Sequence, residues 1–280
     1  MSETAGRLAG KVALVTGASP NIGGTAAAGF AAHGAIVACN DLNPGVAEQT
    51  AAGIRDKGGE AIAVPADVTD PEAVARMVAA VRDRYGRIDI LLNNAAIFVN
   101  GGVLTMPVDV FRKQVDVILG GTFIVTQAVA TAMVEVGNAG SIINVLSTAA
   151  WQGEANNIGY ASAKSALINF TRSAAMELAP HRIRVNSLTP TVTFPEQHRG
   201  GRSFGEILAE LKETKNLDFT GLFPWHRLPS PADYVGPLVL LASDESSLMT
   251  GGNITVDGGA LSRYWPQIPP EPASTAGPGN

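Results

Sequence analysis

The sequence predicts an α/β fold: a doubly wound parallel sheet of about seven strands, with helices on both faces. Three observations carry that expectation. Short runs that are apolar throughout, such as Lys11–Thr16 (KVALVT) and Ala35–Asn40 (AIVACN), alternate with longer amphipathic stretches. Strands without polar alternation belong to sheets covered on both sides. The first run leads directly into a glycine-bearing turn, Thr16–Gly24 (TGASPNIGG), that opens an Ala-rich helix. Polar residues then follow successive strands at Asp41, Asp67 and Asn94. In an open parallel sheet that carboxyl edge is where ligands bind.

The elements follow in order. After Lys11–Thr16 comes a helix over Asn21–His33, closed by Gly34. Ala35–Asn40 is the second strand, and Gly45–Lys57 the second helix, stopped by Gly58-Gly59. Ala61–Pro65 is the third strand. Pro71–Tyr85 is a helix with Asp70 as its N-cap and Pro71 at its first position, where a missing N–H costs nothing. Ile88–Leu92 is the fourth strand, followed by one long helix over Val108–Val136. Ser141–Leu146, a helix over Tyr160–Leu178, and Arg184–Leu188 come next. A helix over Ala232–Ala242 and a strand over Asn253–Val256 complete the sheet. Residues 1–261 are expected to form a single domain, and 262–280, rich in proline and small polar residues, an extended or disordered tail.

With 46% hydrophobic residues in 280, the chain can bury a sizeable core. A net charge of −5 argues against nucleic acid or an anionic membrane as the main partner. The single Cys39 fits a reducing compartment. No segment is expected to span a membrane, and the N-terminus MSETAGRLAG has no apolar signal core, so a soluble, cytoplasmic protein is expected. The histidines His33, His181, His198 and His226 lack metal-ligand spacing, so no metal chemistry is expected.

The chemistry-bearing stretch is Ser147–Lys164 (STAAWQGEANNIGYASAK). If Tyr160 opens a helix, Lys164 lies one turn on along the same face. A cation near a phenol favours the phenolate, and such a tyrosine can exchange a proton with an alcohol or ketone near neutral pH. Ser147, at the end of an apolar strand, can hydrogen-bond the same oxygen. By itself Tyr-x-x-x-Lys is also the pattern of a half-buried helical tyrosine beside a solvated lysine. The turn at Thr16–Gly24 supplies the missing context, since backbone N–H groups at a helix N-terminus suit a pyrophosphate. Asp41, closing the second strand, can accept from both ribose hydroxyls and would repel a 2′-phosphate, which points to NAD rather than NADP.

On these motifs the chain resembles the short-chain dehydrogenase/reductase family, in its single-domain form, from about Leu8 to Leu261. The matching residues are Thr16-Gly17…Gly23, Asp67-Val68, Asn93-Asn94-Ala95, Ser147, Tyr160-x-x-x-Lys164 and Thr250-Gly251-Gly252…Asp257-Gly258-Gly259. The resemblance implies a Rossmann-like fold and hydride transfer between nicotinamide and a secondary alcohol or ketone. It implies that Tyr160 is the acid/base, that Lys164 lowers its pKa and holds the nicotinamide ribose, and that Ser147 polarises the carbonyl. It also implies a cofactor lined by Gly17, Ser19, Asn21, Ile22, Gly23, Asp41, Asp67, Val68, Asn94, Tyr160, Lys164 and Thr193. Homodimers or homotetramers built on the two longest helices are implied too, with Phe123, Val129, Met133, Phe170 and Met176 as surplus apolar positions.

Three positions depart from the family pattern. Asn21 replaces a glycine and is expected to tolerate a left-handed backbone. Ile118 replaces an asparagine that supports a water relay to the lysine, although Gly120-Gly121 would still permit a kink there. Pro190-Thr191 stands for Pro-Gly, which leaves the alignment of Thr193 open. Thr193–Pro231, with Phe204, Ile207, Leu208 and Leu211 at helical spacing, reads as a substrate lid or as a subunit contact. Trp151, Gln152 and Asn157 are the candidate substrate contacts. Two functions remain open at this point: a dehydrogenase acting on a fairly hydrophobic alcohol or ketone, or a dinucleotide-binding scaffold with weakened catalysis.

Overall fold

The computed structural model describes residues 6–193 and 223–262. Its strands are β1 (Val12–Val15), β2 (Ile36–Cys39), β3 (Ala61–Ala63), β4 (Ile90–Asn93), β5 (Gly140–Val145), β6 (Ile183–Pro190) and β7 (Asn253–Val256). They form one seven-stranded parallel sheet in the order β3-β2-β1-β4-β5-β6-β7. The strand order reverses direction beside β1, which lies between β2 and β4, so a crevice opens at the carboxyl ends of these strands.

Helices α1 (Ile22–Ala32), α2 (Pro44–Arg55), α3 (Pro71–Tyr85), α4 (Val108–Val115), α5 (Gly121–Val136), α6 (Ile158–Leu178) and α7 (Val235–Ala242) cover the sheet. Alternation along β1 separates two cores. Ala13 and Val15 pack with Phe30 of α1, Ile54 of α2 and Leu238 of α7. Val12 and Leu14 pack with Val78 of α3, Val129 of α5 and Ala175 of α6. The strands therefore carry apolar residues on both sides, which is why they lack polar alternation.

Local signals fix several boundaries. Asp70 accepts from the backbone N–H of Glu72 at 2.9 Å and of Ala73 at 3.2 Å, and Gly86 closes α3 in a left-handed conformation at φ 79°. Asn43 caps α2 by accepting from Gly45 at 2.9 Å. The long helix is the main departure. It is interrupted at Asp116–Gly120 by a π turn, where Gly121 N–H donates to Asp116 O, beside the glycine pair expected to permit a kink. Gly121 is required there, since a Cβ would lie 2.7 Å from Val68 Cγ2.

The expectation about membrane spans is corrected by the same helix. Val108–Val136 reaches a mean hydropathy of 1.8 over 18 residues, enough by length and composition to cross a bilayer. Here half of that window is buried against the rest of the chain, with Val125, Val129 and Met133 in the core. Most of the Thr193–Pro231 stretch and the 262–280 tail lie outside the described residues. At the near end of that stretch Phe223 is buried and Trp225 is exposed.

Candidate active site

The carboxyl ends of β1, β2, β4, β5 and β6 open onto one cleft of 1830 Å³. Its first wall is the β1–α1 turn. Gly17 has φ 62°, a region that favours glycine, and a Cβ on it would come within 2.8 Å of Ala95 Cα. A Cβ on Gly23 would lie 2.1 Å from Gly17 O and 2.5 Å from Asn94 Nδ2. Only glycine fits at either place. Asn94 donates through Nδ2 to Gly17 O at 2.8 Å and to Thr16 O at 3.2 Å, clamping the turn. Thr16 Oγ1 accepts from Asn94 N–H at 3.0 Å and Ala95 N–H at 3.2 Å, tying the turn to β4. Asn21 occupies the N-cap position of α1 without a side-chain cap bond, and its buried Oδ1 has no partner among the described residues. Its φ of −163° is extended, so the left-handed backbone expected at Asn21 is carried by Gly17 instead. Ser19, Ile22, Asp41, Asp67 and Val68 continue along the wall. Asp41 Oδ1 accepts from Asn43 N–H at 3.0 Å, and Asp67 Oδ1 from Thr69 N–H at 2.8 Å, which fixes both carboxylates at strand ends. This cradle of close backbone, helix N-terminus and strand-end carboxylates fits a dinucleotide.

At the other end of the cleft stand Ser147, Tyr160 and Lys164. Ser147 follows β5 and caps a short 3₁₀ turn, its Oγ accepting from Ala149 N–H at 3.2 Å. Tyr160 lies in the first turn of α6, and Lys164 one turn further on. Lys164 is almost wholly buried and donates from Nζ to Val145 O at the end of β5. Burial pulls its pKa from 10.5 to about 7. Nζ lies 5.8 Å from the centre of the Tyr160 ring. Burial raises the Tyr160 pKa above 10.0; the Ser147 hydroxyl opposes that rise and the Glu154 carboxylate adds to it. In the chain alone burial dominates the tyrosine. The same desolvation acts on both groups, and it neutralises much of the cation that would have favoured phenolate.

The Asn93 amide joins the strands beneath this site, donating to Thr126 Oγ1 and to Asn144 Oδ1, both at 2.9 Å. Asn144 in turn donates to Thr171 Oγ1 of α6 at 3.0 Å. A buried polar ladder thus sets α6 against the sheet.

Known proteins share both the sequence and the shape. The enoyl-(acyl carrier protein) reductase family model matches residues 17–260. The chain is 39% identical to trans-4-hydroxycyclohexanecarboxylate dehydrogenase of Sinomonas cyclohexanicum, over 92% of this chain and 96% of that one. It is 38% identical to an L-rhamnose 1-dehydrogenase (NAD(P)(+)) of a Sphingomonas species, over 90% and 96%. A short-chain type dehydrogenase/reductase from Mycobacterium marinum superposes with a TM-score of 0.80 at 33% identity, covering 91% of this chain and 97% of that one. The chain belongs to the short-chain dehydrogenase/reductase family.

Within this short-chain dehydrogenase/reductase, the expected residues fall into three groups. Gly17, Ser19, Asn21, Ile22, Gly23, Asp41, Asp67, Val68, Asn94, Ser147, Tyr160 and Lys164 all line the cleft, as do Gln152 and Asn157. Thr193 also lines it, but its hydroxyl is engaged, donating to Thr191 O at 2.7 Å and lying 2.6 Å from the Tyr234 hydroxyl. Trp151 does not join them. Its indole Nε1–H donates to Thr189 Oγ1 at 3.0 Å, and the ring lies beside Asn253, Thr255 and Leu261 in a separate small recess.

Three residues at the site escaped sequence reasoning. Phe98 meets the Tyr160 ring edge to face, with centroids 5.3 Å apart and planes at 88°. Glu154 accepts from Asn157 Nδ2 at 2.6 Å, and Asn157 Oδ1 is buried without a partner among the described residues. Gln114 is wholly buried beneath them. Phe98 follows the Asn93-Asn94-Ala95-Ala96 run by two residues, which was the one available signal.

Proposed function

We propose that this chain is an NAD-dependent dehydrogenase/reductase that interconverts a secondary alcohol and a ketone. The observation that carries the reading is the meeting of Ser147, Tyr160 and Lys164 at one end of a cleft whose other end is the Gly17–Gly23 cradle. Nicotinamide, when bound, supplies the hydride acceptor or donor. Tyr160, kept protonated at neutral pH by burial, donates its phenolic proton to the substrate oxygen in the reductive direction and takes it back in the oxidative one. Ser147 Oγ–H steadies the same oxygen. Lys164, with its pKa drawn to about 7, holds or releases a proton beside the phenol near neutral pH.

Asp41 supports NAD over NADP, because a carboxylate at the cleft wall repels a 2′-phosphate and accepts from free ribose hydroxyls. Phe98 and Phe223 give the substrate end an apolar face, while the Glu154 carboxylate gives it one acceptor corner. That pairing suits a cyclic, largely apolar alcohol carrying a second hydroxyl. Ile118, apolar where the family has asparagine, is the observation behind the other reading, a nicotinamide-binding scaffold with weakened catalysis.

Steady-state assays decide between them. Turnover of cyclic secondary alcohols or their ketones is expected, with Tyr160→Phe lowering kcat at least ~100-fold. NAD is expected to exceed NADP in kcat/KM by about 100-fold, and Asp41→Ala to narrow that ratio mainly by weakening NAD. Tight NADH binding with no turnover on any such substrate refutes the enzyme reading; equal kcat/KM for the two cofactors refutes the choice of NAD.

A further inference from the structure

A glutamine amide buried completely inside an α/β domain is costly unless its groups are used. Gln114, in the last turn of α4, is such a residue, at 0% exposure. Its Oε1 accepts from Val99 N–H at 3.0 Å. Among the described residues its Nε2 reaches only Met106 Sδ, at 4.0 Å, a weak acceptor. The same Nε2 presses against the start of α6, where a Cβ on Gly159 would lie 2.3 Å away. The amide is thus wedged between Val99 and Gly159. Their neighbours in the chain are Phe98 and Tyr160, the two rings that stack edge to face at 5.3 Å. A closed circuit results: Phe98 and Val99, the Gln114 amide, Gly159 and Tyr160, then the ring contact back to Phe98. A second tie runs parallel to it, with Gly101 N–H donating to Asn156 O at 2.9 Å and Ile158 N–H to Gly101 O at 3.3 Å.

We propose that Gln114 is a positioning residue for the proton-transferring tyrosine, acting by holding the 98–99 loop and the first turn of α6 in the register that seats Tyr160 against Phe98. The proposal rests on the reading of Tyr160 as acid/base. Gln114 lies behind the rings and is not among the residues lining the cleft, so it touches neither the substrate end nor the Gly17–Gly23 cradle. Its influence passes through Phe98. Without an acceptor for Val99 N–H the loop would shift to find one, and the edge contact that sets the phenol's direction would loosen. A displacement of about 1 Å at a reacting group can lower a rate about 100-fold, so a partial loosening should lower kcat about tenfold.

The test is a double-mutant cycle on kcat in the intact enzyme with NAD and a cyclic secondary alcohol that the wild type turns over. Gln114→Met keeps the length and apolar bulk of the side chain but offers no carbonyl to Val99. Phe98→Ala removes an exposed ring and leaves the core untouched. Each single variant is expected to lower kcat about tenfold, and the double variant no further, because both act through one contact. NADH affinity, read by fluorescence titration, is expected to stay within about twofold in all three, since the cradle is untouched. Gln114→Glu, which retains an oxygen for Val99 N–H, is expected to keep kcat within about threefold of wild type. Multiplying losses in the cycle, or a fall in NADH affinity matching the fall in kcat, overturn the proposal and leave Gln114 as packing alone. If Gln114→Met is insoluble, Gln114→Glu carries the test, and a tenfold kcat loss in it overturns the proposal. Wild-type turnover and its loss in Tyr160→Phe test the underlying reading separately.

Discussion

Replacing Lys164 by methionine should make the protein more stable at neutral pH while removing its activity. The magnitude follows from the burial. A fall in pKa from 10.5 to about 7, at about 1.4 kcal/mol per pH unit, makes the charged ammonium roughly 5 kcal/mol worse off in the folded chain than in the unfolded one. At pH 7 about half the folded molecules escape by losing the proton, which leaves a cost of roughly 4 kcal/mol. Methionine removes that cost but also removes the bond to Val145 O, worth about 1.5–3 kcal/mol for a charged donor. Lys164→Met is therefore expected to gain roughly 1–3 kcal/mol at pH 7. The pH dependence fixes the sign. Between the folded value near 7 and the unfolded value near 10.5, the unfolded chain binds more protons, so wild-type stability from this group rises with pH. The variant lacks that rise, and its advantage should vanish by about pH 10. Urea unfolding of both proteins at pH 7 and pH 10 measures this directly. A variant less stable than wild type at pH 7, or an advantage independent of pH, refutes the reasoning.

Two further outcomes follow from packing. Phe123 on α5 and Met176 on α6 are 50% and 64% exposed, so a self-association that uses these helices should be lost in Phe123→Glu; light scattering that shows the same mass for wild type and variant, or a wild type that is only monomeric, rejects the expected dimer or tetramer. Ile118→Asn places an amide at a position with 0% exposure and should cost about 1–3 kcal/mol by thermal or urea unfolding, with kcat nearly unchanged; a clear rise in kcat would show that the missing asparagine limits the wild type.

The cofactor half of the cleft was legible because it is written in local chain chemistry. A glycine that needs φ 62°, a second one against Gly17 O, and a carboxylate ending each of two strands are all visible as residue types beside apolar runs. The caps of α3 were legible for the same reason, since Asp70, Pro71 and Gly86 act within a few residues of their own positions. Periodicity says less about which face of a helix meets the sheet. Val129 and Met133, expected at a subunit contact beside Phe123, are fully buried in the sheet-facing core, whereas Phe123 is half exposed. The α5 stripe is apolar nearly all round, so no face stands out in the sequence. Thr193 lines the cleft, but its hydroxyl also meets Tyr234, 41 positions away, and no short-range pattern reports such a partner.

The substrate half is built almost entirely from contacts of that second kind, and this explains why its residues were the ones missed or misplaced. Tyr160 and Lys164 declare themselves by spacing on one helix, yet the Tyr160 ring packs on Phe98 from another strand end, and the neighbouring Val99 is held by Gln114 from another helix. The π turn at Asp116–Gly120 belongs to the same logic. Ile118, inside it, is wholly buried, and its carbonyl accepts from Thr122 Oγ1 at 2.7 Å. Lys164 meanwhile turns its ammonium to Val145 O on β5 rather than toward this turn. An asparagine side chain at 118 would therefore have no charged group to serve in the chain as it stands. The loss of a polar side chain at 118 therefore removes no contact that Lys164 makes in this chain, and need not mean that catalysis is lost.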